Sequence, residues 1–199
     1  FRRTAVMKEV GASGDGTAAP RTVMPPASKP PCKSDSSSSA SRKGDSVGGV
    51  LETVITGMPE GVFEPWFDSC ESMLSHMMFS IPAVKGIEFG AGFAIADMFG
   101  SQANDPMRMD SGKVVTTTNN NGGINGGITN GMPVIFRVAI KPTPSISREQ
   151  KTVSLAEQCD TTLTIVGRHD PCIAPRAVPV VEAVAALAIL DALLDPMLL

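Results

Sequence analysis

The sequence predicts an α+β domain in which an antiparallel sheet packs against a small number of helices. Short segments with the alternation typical of strands follow one another between residues 45 and 166, separated by turn residues. Two segments with helical spacing accompany them, one near the middle of the chain and one at its end. Strands that come in runs, rather than alternating with helices, are typical of antiparallel sheets.

Composition narrows the class of protein. The chain has 199 residues, a net charge of -3 and dispersed lysines and arginines, which argues against a nucleic-acid-binding face. The four cysteines form no Cys-x-x-C pair, and His76 and His169 are the only histidines, so we expect no metal site. We interpret the cysteines as reduced thiols of a cytoplasmic protein.

Residues 1–44 are predicted to be a disordered or divergent leader, and residues 45–199 the folded domain. The leader is rich in Pro, Ser and Lys and has few large apolar residues, so it cannot bury enough apolar surface to order itself. It also lacks the apolar core of a signal peptide. The apolar run 177–194 contains Pro179, Glu182 and Asp191, which favours a buried helix over a membrane span.

The first half of the predicted domain begins with a strand near 49–57. A helix follows, ended at or before Ile81 by Pro82. The residues predicted to share its apolar face are Phe67, Cys70, Leu74, Met77 and Met78. His76 falls on the opposite, solvent-facing side. The stretches VKGIEFG and GFAIADMFG are predicted to be two short strands around a Gly-Ala-Gly turn, and KVVTTT another strand.

The second half begins with a long loop, Asn119 to Gly131, composed mainly of Asn and Gly. The stretch PVIFRVAIK then alternates, with Val134, Phe136, Val138 and Ile140 on one face. A last strand is predicted near 161–166, followed by the terminal helix.

Three segments are candidates for chemistry, and each has an ordinary alternative. The glycine loop could bring its backbone close to a ligand, or be a flexible surface loop, because its spacing fits no phosphate-binding motif. KPTPSI could be a rigid, basic wall for an anion, or a proline-stiffened strand end. In GRHDPC, Asp170 followed by Pro171 is typical of a helix start, and His169 is more typical of a structural histidine.

Taken together and in this order, these segments resemble the chorismate synthase family. The matching stretches are GDSVGGVLETVITGMPEGVFEPWFD, SIPAVKGIEFGAGF, GSQANDP, TNNNGGINGGITNGMPVIFRVAIKPTPSI and GRHDPCIAPRAVPVVEA. They cover the chain from about Gly44 to Leu194, and the resemblance does not extend to residues 1–43.

The resemblance implies a lyase of the shikimate pathway. It would convert 5-enolpyruvylshikimate 3-phosphate to chorismate by 1,4-elimination of phosphate and a ring hydrogen, with reduced FMN as cofactor. It also implies a β-α-β sandwich, with helices held between antiparallel sheets, and a homotetramer. No nucleic acid or membrane partner is expected.

The resemblance also assigns site residues. Arg168 would lie by the flavin and the substrate, and Asp170 would assist proton loss from flavin N5. Arginine suits a substrate that bears phosphate and carboxylates. The flavin contacts would be Pro82, Ala83, Gly126, Lys141, Pro142, Thr143, Pro144, Ser145 and Arg168.

One departure from the family pattern is large. The first half of the family, with its Gly-Glu-Ser-His-Gly motif and a second catalytic histidine, is missing, and neither His76 nor His169 matches those histidines. We therefore expect the C-terminal portion of a chorismate synthase, inactive by itself, or alternatively a non-catalytic remnant with weak flavin binding. A half sandwich should leave apolar edges or faces unpaired.

Overall fold

The structure, a computed structural model, describes residues 2–8 and 34–194. In chain order the strands are β1 (Arg2–Lys8), β2 (Gly49–Thr56), β3 (Val84–Phe89), β4 (Met107–Asp110), β5 (Lys113–Thr116), β6 (Ile124–Asn125), β7 (Ile128–Thr129), β8 (Val134–Ile140), β9 (Gln150–Ser154) and β10 (Cys159–Leu163). The α-helices are α1 (Ser34–Arg42), α2 (Cys70–Phe79), α3 (Gly100–Ala103) and α4 (Ala174–Leu193). Short 3-10 helices lie at Trp66–Asp68 and Gly92–Asp97.

The main sheet has four antiparallel strands in the order β1-β2-β8-β3. Strand β8 is an inner strand, and its alternation sets the two faces of the sheet. Val134, Phe136, Val138 and Ile140 are buried, whereas the residues between them are half-buried. Three two-stranded antiparallel sheets, β4-β5, β6-β7 and β9-β10, complete the described strands. The predicted α+β class is confirmed.

Helices α2 and α4 cover one face of the main sheet. From α2, Cys70, Leu74 and Met78 enter the core, one turn apart. From α4, the buried residues are Ala174, Val181, Ala185, Ala188 and Ile189. Full burial of a side chain such as Leu74 contributes about 1.5–3 kcal/mol. The apolar surface shared by the sheet and these helices is therefore the main source of the domain's stability.

The outer side of α4 is also apolar. Val180, Leu187 and Leu190 are 44%, 56% and 52% exposed. They recur at helical spacing on the side away from the buried alanines. Large contiguous apolar surfaces are uncommon on proteins that stay monomeric. Within the described residues, this side of α4 is uncovered.

The face of the sheet opposite the helices carries a charged cluster. The Arg137 guanidinium lies 2.9 Å from a Glu52 carboxylate oxygen and 2.5 Å from one of Glu88, across three neighbouring strands. Partial burial by itself would lower the pKa of Arg137, but its hydrogen bonds to Glu52 and Glu88 outweigh that effect and raise it. The cluster therefore links β2, β8 and β3 through side chains as well as through the backbone.

Two parts of the predicted leader have regular structure. Strand β1 pairs with β2 along its whole length, and α1 ends in a turn at Lys43 and Gly44. The backbone groups along this edge of β2 therefore have hydrogen-bond partners on β1. The composition of the leader could not reveal this pairing. Residues 9–33, most of the predicted leader, lie outside the described residues.

Two predictions about the middle of the chain are wrong. The stretch GFAIADMFG, predicted as a strand, begins with a 3-10 helix, because Gly90 (φ +54°) and Gly92 (φ +59°) turn the chain and the Glu88 carboxylate accepts the Phe93 N–H. Phe67, predicted on the buried face of the helix, precedes α2 and is 86% exposed. His76 is exposed, as predicted.

Candidate functional site

The end of α2 and the end of β8 meet at one place. Lys141, which follows β8, donates its backbone N–H to the Ala83 carbonyl at 2.9 Å. Ala83 has a left-handed backbone (φ +74°) directly after the exposed Pro82, so the chain turns sharply before entering β3. Pro82 and Ala83 are thereby brought beside Lys141 and Pro142, four of the residues that the resemblance assigns to the flavin.

The loop from Lys141 to Ser145 is stiff, and one of its polar groups has no partner. Pro142 and Pro144 fix their own φ angles and restrict the residues that precede them. Thr143, between them, accepts the Ser46 hydroxyl on its carbonyl at 2.6 Å. The Thr143 hydroxyl oxygen is buried and has no hydrogen-bond partner within the described residues. Buried hydroxyls are ordinarily satisfied.

The segment before α4 lies against residues 44–49, here called the 44–49 segment. The Val47 N–H donates to the Pro171 carbonyl at 2.8 Å, and a Cβ on Gly49 would lie 2.8 Å from that of Ala174. Because the 44–49 segment also contacts Thr143 through Ser46, it adjoins both Asp170–Pro171 and the Lys141–Ser145 loop. Two stretches far apart in sequence therefore border a common segment.

Asp170 does not cap α4. The helix begins at Ala174, its N-cap residue is Ile173, and no side chain caps it. The Asp170 carboxylate instead forms an ion pair with Arg176 in the first turn, at 2.6 Å. The prediction of a helix cap at Asp170 is wrong because the chain stays non-helical for three residues after it. The carboxylate is still near the positive end of the helix.

The cations near these segments differ in their partners. Arg148 pairs with Asp45 at 2.9 Å, and Arg176 pairs with Asp170. The Ser46 N–H and the Arg148 guanidinium hold the pKa of Asp45 below its ordinary value. Within residues 34–194, Lys141 and Arg168 have no ion-pair partner, and both are exposed. These two cations are therefore available to an anionic ligand.

His169 is held by the backbone. Its Nε2 lies 3.2 Å from the Ile165 carbonyl, a contact in which the ring nitrogen donates. This agrees with the structural role expected for it.

Gly126 lies apart from Ala83. It lies at the exposed turn between β6 and β7, where the sequence predicted an irregular loop. The neighbouring Gly127 accepts the Cys70 N–H at 2.8 Å, which places this turn at the start of α2. Ala83 follows the other end of α2, a helix about 15 Å long at 1.5 Å per residue. Gly126 and Ala83 therefore lie at opposite ends of one helix.

Sequence reasoning missed Ser46 and Asp105. Ser46 lies in GDSVGG, whose closely spaced glycines could have signalled a close backbone approach. The Asp105 carboxylate accepts four hydrogen bonds from Thr118, Asn120 and Asn121. The isolated Asp of GSQANDP gave no comparable signal. Within the described part of the chain, no three His, Cys, Asp or Glu side chains could together hold a metal ion, and no helix is long and apolar enough to cross a membrane.

Comparison with known proteins identifies the family. The chorismate synthase family model matches residues 4–194. Chorismate synthase of Thermococcus kodakarensis is 52% identical over 155 residues, which are 78% of this chain and 44% of that protein. The Dehalococcoides mccartyi enzyme is 53% identical over 152 residues, 76% of this chain and 42% of that protein.

A solved structure agrees with these relatives. A crystal structure of chorismate synthase superposes with a TM-score of 0.64 at 34% identity, covering 79% of this chain and 40% of that one. The α+β fold of this chain is therefore similar to the part of that structure that it covers. The chain belongs to the chorismate synthase family. It spans less than half the length of the curated relatives that it matches. The family match begins at residue 4, well before the start at about Gly44 that the motifs suggested.

Proposed function

We propose that this chain supplies the C-terminal portion of a chorismate synthase, a lyase that converts 5-enolpyruvylshikimate 3-phosphate to chorismate and phosphate with reduced FMN. The observation that carries the proposal is the junction of Ala83 with Lys141, beside the stiff loop that contains the buried, unpartnered hydroxyl of Thr143. Family membership supports the reaction, and this junction is where we propose that the flavin binds.

The residues at the junction fit a flavin. An unsatisfied buried hydroxyl costs about 1–3 kcal/mol, and a ligand polar atom that hydrogen-bonds to it removes that cost. The residues that would hold the flavin here are Pro82, Ala83, Lys141, Pro142, Thr143, Pro144, Ser145 and Arg168. Gly126, at the other end of α2, would contact a different part of the cofactor. When bound, the reduced flavin supplies electron density as the C–O bond of the substrate breaks.

The chain's own groups have separate tasks in this proposal. Arg168, exposed and without an ion-pair partner in the described chain, would lie by the flavin and bind the phosphate or carboxylates of the substrate, whereas Lys141, likewise unpaired, would contact the flavin. Arg176 occupies Oδ2 of Asp170, so Oδ1 would be the atom that accepts a proton from flavin N5. Asp170 would therefore act as a base, and Arg168 would orient the substrate.

The remaining parts of the proposal follow from the family alone. The complete protein would be a cytoplasmic homotetramer with a small-molecule substrate. The first half of the family domain would supply the histidines that this chain lacks, so we expect the chain to need that half for turnover.

The test is anaerobic chorismate formation from 5-enolpyruvylshikimate 3-phosphate and dithionite-reduced FMN. It would be run on this chain alone and with the first half of the Thermococcus kodakarensis relative added in trans. We expect turnover only in the mixture, and Asp170→Ala should lower the rate at least tenfold. Asp191→Ala, which removes an exposed acid from α4, the helix that follows Asp170, is the control and should leave the rate unchanged. An Asp170→Ala mixture as fast as the wild type would contradict the assigned role. No chorismate with either preparation would contradict the proposed function.

A further inference from the structure

The 44–49 segment lies between the two stretches to which the proposed function assigns most of the flavin site. On one side, Val47 binds the Pro171 carbonyl. On the other, the Ser46 hydroxyl donates to the Thr143 carbonyl at 2.6 Å. Ser46 is half-buried, and its hydrogen bond joins residues 97 positions apart. The position of the Lys141–Ser145 loop relative to Asp170–Pro171 therefore depends on this segment.

The 44–49 segment has little freedom to shift. The Gly44 carbonyl accepts the Ser147 N–H at 3.0 Å, and Asp45 pairs with Arg148, so the segment is tied to the far end of the proline-rich loop. Gly48 packs so closely on β8 that a Cβ would lie 2.4 Å from the Ile140 carbonyl oxygen. Ser46 is therefore held in place from both directions.

The carbonyl of Thr143 has a hydrogen-bond partner, and its hydroxyl has none within the described residues. Its carbonyl is taken by Ser46, whereas its hydroxyl is buried without a partner. Because prolines on both sides restrict the backbone, the hydrogen bond from Ser46 fixes the peptide plane after Thr143 and with it the backbone position from which the Thr143 side chain extends. A rigid unsatisfied hydroxyl is prepared for a ligand, since its desolvation cost is met before binding.

We propose that Ser46 is a positioning residue that aims the Thr143 hydroxyl at the flavin. The inference rests on the proposed function and names how one contact of that site is prepared. Ser46 would not touch the cofactor, and its effect would pass through Thr143.

The experiment measures the affinity of the full chain for FMN by fluorescence quenching, together with the melting temperature of each variant. Thr143→Val removes a hydroxyl that has no partner, so it should weaken FMN binding about tenfold while the melting temperature stays equal or rises. Ser46→Ala should also weaken binding by up to about tenfold, and Ser46→Thr, which keeps a hydroxyl, should restore most of the affinity. Thr116→Val removes another hydroxyl-to-carbonyl hydrogen bond, that of Thr116 to Thr118, and should leave the affinity unchanged.

The double variant distinguishes positioning from general stabilisation. If Ser46 acts through Thr143, Ser46→Ala should add no further loss of affinity in the Thr143→Val background. Two outcomes would overturn the inference while leaving the flavin site intact. In the first, the affinity losses of the two single variants multiply in the double variant. In the second, Ser46→Ala lowers the melting temperature but binds FMN as the wild type does. A wild-type chain that binds no FMN would overturn both the inference and the site on which it rests.

Discussion

The carboxylate of Asp105 accepts two hydrogen bonds from Asn121, one from its backbone N–H and one from its side-chain amide, each at 2.9 Å. Its other oxygen accepts the Thr118 hydroxyl and the Asn120 N–H, both at 2.7 Å. One acid thus orders the start of the Asn- and Gly-rich loop. That loop leads to the β6-β7 turn, where Gly126 lies.

Removing Asp105 should destabilise the domain in a pH-dependent way. Partial burial raises the pKa of Asp105, but hydrogen bonds from Asn121, Thr118 and Asn120 outweigh burial and hold the pKa below 3.8. A carboxylate whose pKa is lower in the folded state than in the unfolded state stabilises the fold at pH values above the unfolded-state pKa. This stabilisation is lost as the pH falls through the folded-state pKa. Asp105→Ala should cost about 1–3 kcal/mol at neutral pH. In urea unfolding across pH, wild type and variant should converge below pH 3.8. A difference independent of pH would contradict this prediction.

Two buried threonines should respond oppositely to the same change. Thr53, on the core face of β2, has a buried hydroxyl without a partner in the described chain. Thr53→Val should therefore be neutral or stabilising. The Thr129 hydroxyl accepts the Val62 N–H at 3.0 Å and donates to the Pro59 carbonyl at 2.7 Å. Thr129→Val leaves both groups unsatisfied and should cost about 1–3 kcal/mol. Urea unfolding measures the free energy of unfolding of each variant. Equal losses of stability in the two variants would contradict the prediction that only the Thr129 hydroxyl has hydrogen-bond partners.

Gly122 should tolerate no side chain. Its φ is +63°, and a Cβ would lie 2.5 Å from the Gly90 nitrogen, so two backbones pass each other there. Gly122→Ala therefore meets both backbone strain and a clash. Gly112 has a similar φ, +82°, but nothing within 4 Å of a Cβ. Gly112→Ala should cost about 1–2 kcal/mol for strain alone, and Gly122→Ala clearly more. Comparable melting temperatures for the two variants would exclude the close approach.

The exposed apolar side of α4 should drive association. Leu187→Gln places a polar group at a position that is 56% exposed, so it should reduce concentration-dependent association in sedimentation velocity without lowering the melting temperature. Ala188→Gln, on the buried side of the same helix, is the contrasting variant and should destabilise the fold. A wild-type chain that stays monomeric at all concentrations would contradict the prediction.

The spacing of apolar residues in the sequence predicted the strands and helices that bury only one face. The alternation of β8 and the apolar run of α4 were visible because their side chains alone decide which face is buried. The segment at Gly92–Asp97 was misread as a strand, because its conformation depends on two glycine turns and on Glu88, not on its own apolar residues. Strand β1 was missed because its order comes from pairing with β2.

The candidate site was predictable only in part, for a similar reason. The motifs gave the residue types around Lys141 and Asp170. They could not reveal that Arg176 takes one oxygen of Asp170, or that Ser46 takes the Thr143 carbonyl, because these contacts exist only once the chain has folded. Gly126 illustrates the converse, since its motif groups it with residues that lie about a helix length away.

The inner position of β8 also governs how the chain folds during synthesis. Both neighbours of β8, namely β2 and β3, precede it in the sequence, and they do not pair with each other. Until Ile140 has left the ribosome, β3 has no partner in the main sheet and β2 exposes one edge. Pairing over such separations is slow, and open edges are prone to aggregate. The nascent chain should therefore depend on chaperones at least until Ile140 has emerged, and its core face stays open until α4 follows.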